Sequence, residues 1–391
     1  MKRTIRDIDV DNKKVFLRVD FNVPIGADFK ILDDNRIVQS LPTINYLIQH
    51  NAKLILCSHL GRPNGVDSKL SLRPVVSRLS KLLNKQVTLI EDIYDKKVSS
   101  TISKMKPGDV VMLENIRFYK QEEDNDLDFA KHLASFADVY VNDAFATMHR
   151  KHASTFGVAE LLPNAVGFLV EKELNAFENV LNNDKHPFVL ILGGAKVNDK
   201  IKVIKNLFDK VDTILIGGGM AYTFIKAIGG EVGESLLDNS SIDIAKDIIE
   251  TAKERNIKIL LPVDNIGAKE FSKTAKSKHF NSGFFSKDYQ GMDIGPLTIK
   301  AFKKIIKKAK VIVWNGPMGV YEFPKFRKGT NKIAKYVSNN KGYTIVGGGD
   351  SAACLKPAMF KRISHVSTGG GASLELLQGK VLPCVDVISE I

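Results

Sequence analysis

The chain has 391 residues, more than one hydrophobic core commonly organises, so two to three domains are expected. Hydrophobic residues make up 44% and charged residues 26%, which excludes a disordered, collagenous or fibrous chain. Lysines and arginines number 57 against 44 acids, a formal net charge of +13; this favours anionic partners, whether nucleic acid, acidic membrane or phosphorylated metabolites.

In chain order, the opening segment MKRTIRDIDVDN carries Asp7, Asp9 and Asp11 where a signal peptide needs an apolar core and a transit peptide avoids acids. No apolar run approaches 18 residues, so a cytoplasmic chain without a membrane span is expected. Short β-branched runs then predict strands: VFLRV from Val15, KLILC from Lys53, VTLI from Val87, VVML from Val110 and VYV from Val139. After residue 185 the theme returns with FVLIL from Phe188, TILI from Thr213, KILL from Lys258, VIVW from Val311 and YTIV from Tyr343. Segments of helical period lie between them, among them 38–49, 127–136, 201–208, 242–253 and 297–308. Strands apolar on both faces alternating with helices predict an α/β chain of two doubly wound, Rossmann-like parallel-sheet lobes, each of five or six strands. The stretch EKELNAFENVLNN from Glu171 has helical period and charge, so a hinge helix is placed at 171–185, between an N-terminal lobe at 1–170 and a C-terminal lobe from 186. The lysine-rich segment 300–310 reads as a solvated helix face, because Phe302, Ile305, Ile306 and Ala309 fall on the opposite side. Three cysteines, Cys57, Cys354 and Cys384, show no CxxC spacing, which argues against a disulfide framework, a cysteine zinc site or redox chemistry.

Ligands in open α/β sheets bind beyond the carboxyl ends of the strands, and the two halves differ there. The first half places Arg18, Asp20 and Asn22, then Arg36, then His59 and Arg62, Arg117, and finally His149, Arg150 and His152 after its strands. Several guanidinium forks on one rim suit a small, highly anionic molecule. The HxxH spacing of His149 and His152 is a poor metal pair, since Arg150 and Lys151 would repel a cation. The second half ends its strands in glycine: Gly193 and Gly194, Gly217 to Gly219, Gly316, Gly347 to Gly349 and Gly369 to Gly371. Such clusters either bring amides to phosphate at a helix start or are only tight turns; five of them favour a nucleotide platform. No GxxxxGK[ST] and no protein-kinase motif set is present. Gly347 to Ala352 fits the loose dinucleotide pattern, yet the next acid, Glu375, is too far on and Asp350 would repel a bare pyrophosphate; Asp350 fits better as a holder of Mg²⁺ on ATP phosphates. Lys196 and Lys200 share a helix face if the helix begins at Gly193 and Gly194, and two cations at a positive helix end call for a bound polyanion.

With these motifs assembled, the sequence closely resembles phosphoglycerate kinases. RVDFNVP, SHLGRP, LENIRF, VYVNDAFATMHRKHAS, ILGGAKVNDKI, ILIGGGMAYTF, VWNGPMGVYE, IVGGGDS and HVSTGGGASLELL occur in order from Arg18 to Leu377. The resemblance implies reversible transfer of the acyl phosphate of 1,3-bisphosphoglycerate to Mg-ADP, giving 3-phosphoglycerate and Mg-ATP, by a cytoplasmic monomer that closes about its hinge and needs neither nucleic acid nor membrane. It implies phosphoglycerate ligands at Asp20, Phe21, Asn22, Arg36, His59, Leu60, Gly61, Arg62, Arg117 and Arg150, with His149 and His152 close by. It implies nucleotide ligands at Lys196, Lys200, Gly291, Glu322 and Gly347, Gly348, Gly349, Asp350 and Ser351, with Asp350 also meeting Mg²⁺. Catalytic roles fall to Arg36, Lys196, Lys200, Gly370 and Gly371. It divides the second half into a nucleotide-binding lobe at 186–376 and a tail at 377–391 that returns to the N-terminal lobe. Departures from the family pattern are Ala146, Met148, Asn198, Gln378 and Cys384, the last replacing glycine in the tail.

Overall fold

Each predicted run forms a strand, and the inner ones are buried along nearly their whole length, as parallel strands covered on both faces require. The structure, a computed structural model, describes residues 2–195 and 197–391. It divides into two units, residues up to Asn175 together with Val381–Ile391, and Ala176–Lys380.

In the first unit β1 (Lys14–Val19), β2 (Lys53–Cys57), β3 (Val87–Ile90), β4 (Val110–Leu113), β5 (Val139–Asp143) and β6 (Asn164–Val166) form one sheet in the order β3-β4-β2-β1-β5-β6. Every pairing is parallel. Residues Val15, Leu17, Leu54, Leu56, Ile44 and Leu47 meet in its core. The chain runs outward from β1 on one side and returns to β5 on the other, so the connections diverge between β1 and β5. Doubly wound sheets open their ligand crevice at such a point. The helix Phe168–Leu181 starts three residues earlier than its charge pattern suggests. Asp143, at the end of β5, accepts hydrogen bonds from the amides of Leu169 (2.9 Å) and Val170 (3.2 Å), satisfying two donors that a helix start leaves unpaired. The final residues join this unit: Arg3 N donates to Ser389 O at 2.8 Å and Cys384 N to Met148 O at 3.1 Å. Cys384 lies inside the short helix Pro383–Asp386 and is not among the residues of positive φ, so the turn accepts a side chain there.

In the second unit β7 (Phe188–Leu192), β8 (Thr213–Ile216) and β9 (Lys258–Leu260) are followed by an excursion, β10 (Asp264–Ala268), β11 (Ser277–Asn281) and β12 (Gln290–Ile294), and then by β13 (Val311–Asn315), β14 (Tyr343–Gly347) and β15 (His365–Val366). The main sheet is parallel in the order β15-β14-β13-β7-β8-β9, and the excursion is antiparallel in the order β11-β10-β12. Its connections diverge between β7 and β13. The helix Pro296–Lys308 buries Ile299, Phe302 and Ile306 and turns its lysines outward, as its spacing predicts. No helix among the described residues is long and apolar enough to cross a membrane.

Candidate active site

The strand ends of the first unit gather one connected polar cluster. Asp20, just past β1, is ion-paired with Arg36 and lies 3.9 Å from His59 Nδ1. His59, just past β2, is 5% exposed, and its Nδ1 is 3.3 Å from Arg18 Nη2. Asn22 Oδ1 accepts from the amide of Gly61 at 2.9 Å, and the Gly61 carbonyl accepts from Arg117 Nη1 at 2.8 Å. Phe21 and Leu60 are held through their amides, which donate to Ser58 Oγ at 2.8 Å and Asn115 Oδ1 at 3.1 Å. Past β5, Arg150 Nε donates to His149 Nε2 at 3.1 Å, and His152 Nδ1 lies 3.9 Å from the fully buried Glu122. Arg62 is exposed, and among the described residues no hydrogen bond or ion pair ties it to this cluster.

Electrostatics follow from crowding. Burial, reinforced by Arg18, Arg117 and Arg36, holds the His59 imidazole well below its ordinary pKa. Burial with Arg117, Arg18 and Arg150 lowers His152 to about 4. Both rings are neutral at pH 7, so the positive charge here belongs to guanidinium groups, which do not titrate. Arg18 corrects the sequence reading. It is 1% exposed, donates from Nε to Ser154 Oγ at 2.8 Å, and through Ser154 meets Glu122, whose Oε1 accepts from that hydroxyl at 2.6 Å. Arg18 therefore props the rim from below rather than lining it.

The glycine turns of the second unit divide into two kinds. Those at the divergence of β7 and β13 interlock: Gly193 N donates to Asn315 O at 2.9 Å and Gly194 N to Pro317 O at 2.8 Å. A Cβ at Gly193 would fall on the Pro317 carbonyl oxygen, and one at Gly316 on the Gly193 carbonyl. At Gly193 and Gly316 the close approach of backbone to backbone requires glycine. At Gly349 and Gly370, in contrast, a Cβ would meet nothing within 4 Å, and both open short helices, Gly349–Ala353 and Gly371–Leu377. Ser351 Oγ accepts from Gly316 N at 2.7 Å, which ties the second kind to the first. Lys200 Nζ is bound by Asn315 Oδ1. Lys196 lies outside the described residues. The helix beyond it begins at Asn198, not at Gly193 and Gly194, so the condition under which Lys196 and Lys200 are expected to share a helix face is not met.

Beside these turns a groove of about 440 Å³ is lined by Gly194, Gly219, Leu236, Phe271, Gly291 and Met292, then by Pro317, Val320, Tyr321, Glu322 and Asp350. Its wall is apolar and its rim acidic. Gly291 is obligatory, because a Cβ there would strike the Tyr222 ring. The carboxylates of Glu322 and Asp350 are exposed, and Tyr321 Oη donates to Asp350 Oδ1 at 3.2 Å. Leu236, Phe271, Met292 and Val320 went unnoticed in the sequence because each sits alone in a loop or in the antiparallel excursion, outside any periodic run. Ser154, Glu122 and Asn115 were missed too, and only their neighbourhood to Arg18 and Leu60 in space reveals them.

Doubly wound sheets with cations at the strand ends of one unit and glycine turns beside an acid-rimmed groove in the other define a two-unit α/β protein. The family model for phosphoglycerate kinase matches residues 5–380. Curated phosphoglycerate kinases of Finegoldia magna and Dictyoglomus turgidum are each 52% identical, with 100% of this chain and 99% of theirs covered. The solved phosphoglycerate kinase of Coxiella burnetii superposes with a TM-score of 0.89 at 41% identity, covering 99% of both chains. That of Pyrococcus horikoshii gives 0.84 at 35%, covering 99% of this chain and 98% of its own. The chain belongs to the phosphoglycerate kinase family, enzymes that transfer phosphate in glycolysis.

Proposed function

We propose that the chain moves the acyl phosphate of 1,3-bisphosphoglycerate to ADP, giving 3-phosphoglycerate and ATP, reversibly and with Mg²⁺. The observation that carries the reading is the convergence of Arg36, Arg117 and Arg150 with two neutral imidazoles at the strand ends of the first unit. Guanidinium forks suit the carboxylate and phosphate of a phosphoglycerate. Asp20 orients Arg36, Asn22 and Arg117 brace the Gly61 turn, and Arg62 adds charge from solvent. In the second unit the apolar wall accepts the base, Glu322 accepts hydrogen bonds from ribose hydroxyls, and the amides of Gly347 to Ser351 face phosphate.

The donor set around Asp350 fits magnesium: one exposed carboxylate, steadied by Tyr321, suits an ion that keeps several waters and takes its other ligands from phosphate oxygens. When bound, Mg²⁺ neutralises charge on the nucleotide phosphates. The carboxylate that leaves phosphorus in this direction and attacks it in the reverse is ionised at pH 7, so no general base is required. Alignment and fixed charge supply the catalysis: Arg36 and Lys200, with Lys196 by resemblance and the amides at Gly370 and Gly371, stabilise charge on the transferring phosphoryl group.

Direct transfer also requires the substrates at reaction distance, so the proposal includes closure of the units during turnover, which excludes hydrolytic water. Small-angle scattering with both substrates should show compaction, and an unchanged radius in the ternary state would remove closure. A cytoplasmic monomer independent of nucleic acid and membrane completes the reading. The decisive experiment is ADP formation from ATP and 3-phosphoglycerate, pulled forward by glyceraldehyde-3-phosphate dehydrogenase and NADH. Turnover should require 3-phosphoglycerate and vanish with EDTA while the coupling enzyme still works. A folded protein without turnover would overturn the proposal.

A further inference from the structure

The positive charge of the chain is not spread evenly. Between Gly295 and Tyr343 lie twelve lysines and arginines and a single acid, Glu322, which accounts for nearly all of the formal excess of +13. Two helices of this segment, Pro296–Lys308 and Lys328–Ser338, flank a groove of about 670 Å³ at the edge where β13 and β14 begin. The glycine turns lie at the opposite ends of the same strands, so this groove is separate from the nucleotide platform.

Seven lysines line it, among them Lys303, Lys307, Lys332 and Lys335, and no acid or arginine does. All seven are exposed, and among the described residues none has a carboxylate within 4 Å. Complementing the helix C-termini explains part of this, since cations are favourable in a last turn. It does not explain Lys303 and Lys332, which stand earlier, nor the like-charge spacing of Lys303 with Lys307, which is unfavourable without a counter-charge. The floor is fixed: Asn340 Nδ2 donates to Ile306 O at 2.7 Å and to Ala309 O at 3.1 Å, and Asn340 Oδ1 accepts from Gly342 N at 2.6 Å.

We propose that this groove is a second ligand site, for a linear inorganic polyphosphate chain. The lining selects among polyanions. Single-stranded nucleic acid is held on free aromatic faces, and the groove's one aromatic, Tyr336, is half-buried with Lys303 Nζ 5.4 Å from its ring centre. Base edges are read chiefly by bidentate arginine or amide groups, and Asn340 is spent on backbone. An anionic bilayer would meet a concave surface with no large apolar side chain to insert. What remains is a cluster of exposed ammonium groups matched to bare, closely spaced phosphates.

The test is binding of a short, end-labelled inorganic polyphosphate, followed by fluorescence anisotropy over a salt series. Replacing Lys303, Lys307 and Lys335 together by Gln should weaken binding about ten-fold or more and lower the log–log salt slope by about 2. A charge-matched control, Lys246, Lys253 and Lys273 to Gln, should bind like the parent, and kinase turnover should be unchanged in both. Absence of binding, or equal losses in both variants, overturns the site. So does binding that survives in the groove variant and is displaced by ATP, or competition by a single-stranded oligonucleotide or anionic vesicles as strong as by unlabelled polyphosphate.

Discussion

The strand ends of the two units are built in opposite ways on nearly the same sheet. At the strand ends of the first, side chains act: Arg36, His59, Arg117 and Arg150 project past β1, β2, β4 and β5. At the strand ends of the second, the backbone acts, and side chains are removed so that amides and carbonyls can approach one another. A side-chain site tolerates its scaffold and is sensitive to truncation. A backbone site has nothing to truncate and is sensitive to addition.

The sharpest way to break this contrast is to add one methyl group. In Gly193→Ala the new Cβ falls on the Pro317 carbonyl, with Met318 Cε only 2.6 Å away, and backbone cannot move aside cheaply. A loss of about 3 kcal/mol is expected in denaturant unfolding. A variant as stable as the parent would mean that the interlock of β7 and β13 is slack. Truncation in the first unit should do the reverse. Arg36→Ala removes a charge from the proposed transferring group, so kcat should fall about 10²-fold while ADP affinity holds. Asp20 keeps the Asn22 amide at 3.2 Å, which limits the stability loss to about 1 kcal/mol. Unchanged kcat would take Arg36 out of the chemistry.

The sequence carried the two sheets and this polarity, because both are written in local patterns. β-branched runs such as Val110–Leu113 are buried at every position, and the charged or glycine-rich residues follow their strands directly. The antiparallel excursion was illegible for a physical reason: Ser277–Asn281 buries one residue of five, so its alternation carries no apolar signal, and it is held by hydrogen bonds to β10 instead. β15 is two residues long, too short for any period. Arg18 looked like its neighbours on the rim, and only the contact with Ser154, 136 positions away, shows that it is buried. The groove wall fails for the same reason, since Leu236, Phe271 and Val320 belong to three separate loops.

Acidity separates the units further. His152 stays neutral in the folded state down to about pH 4, while the unfolded ring takes a proton from about 6.5. Between these values the unfolded state binds more protons, so this residue's contribution to stability is lost as pH falls through the window. Asp293 of the second unit is raised by burial to about 8; its folded state holds the extra proton, and its contribution is lost as pH rises from about 4 to 8. Difference profiles of stability against pH for His152→Gln and Asp293→Asn should therefore slope in opposite directions, and slopes of the same sign would break the comparison.

The smallest effect tests the second unit most finely. At Gly349 an added Cβ meets no atom, and the residue opens the helix Gly349–Ala353 without a positive φ. Alanine is favoured over glycine in helices by up to about 1 kcal/mol, so Gly349→Ala should leave the melting temperature unchanged or slightly raised. If the turn presents amides to phosphate, the same methyl stands where the ligand must approach, and KM for ATP should rise several-fold with little change in KM for 3-phosphoglycerate. If the turn is only a turn, both constants stay where they are. Gly193 and Gly349 then test two reasons for glycine at a strand end: close packing of the chain's own backbone, and room for a bound molecule.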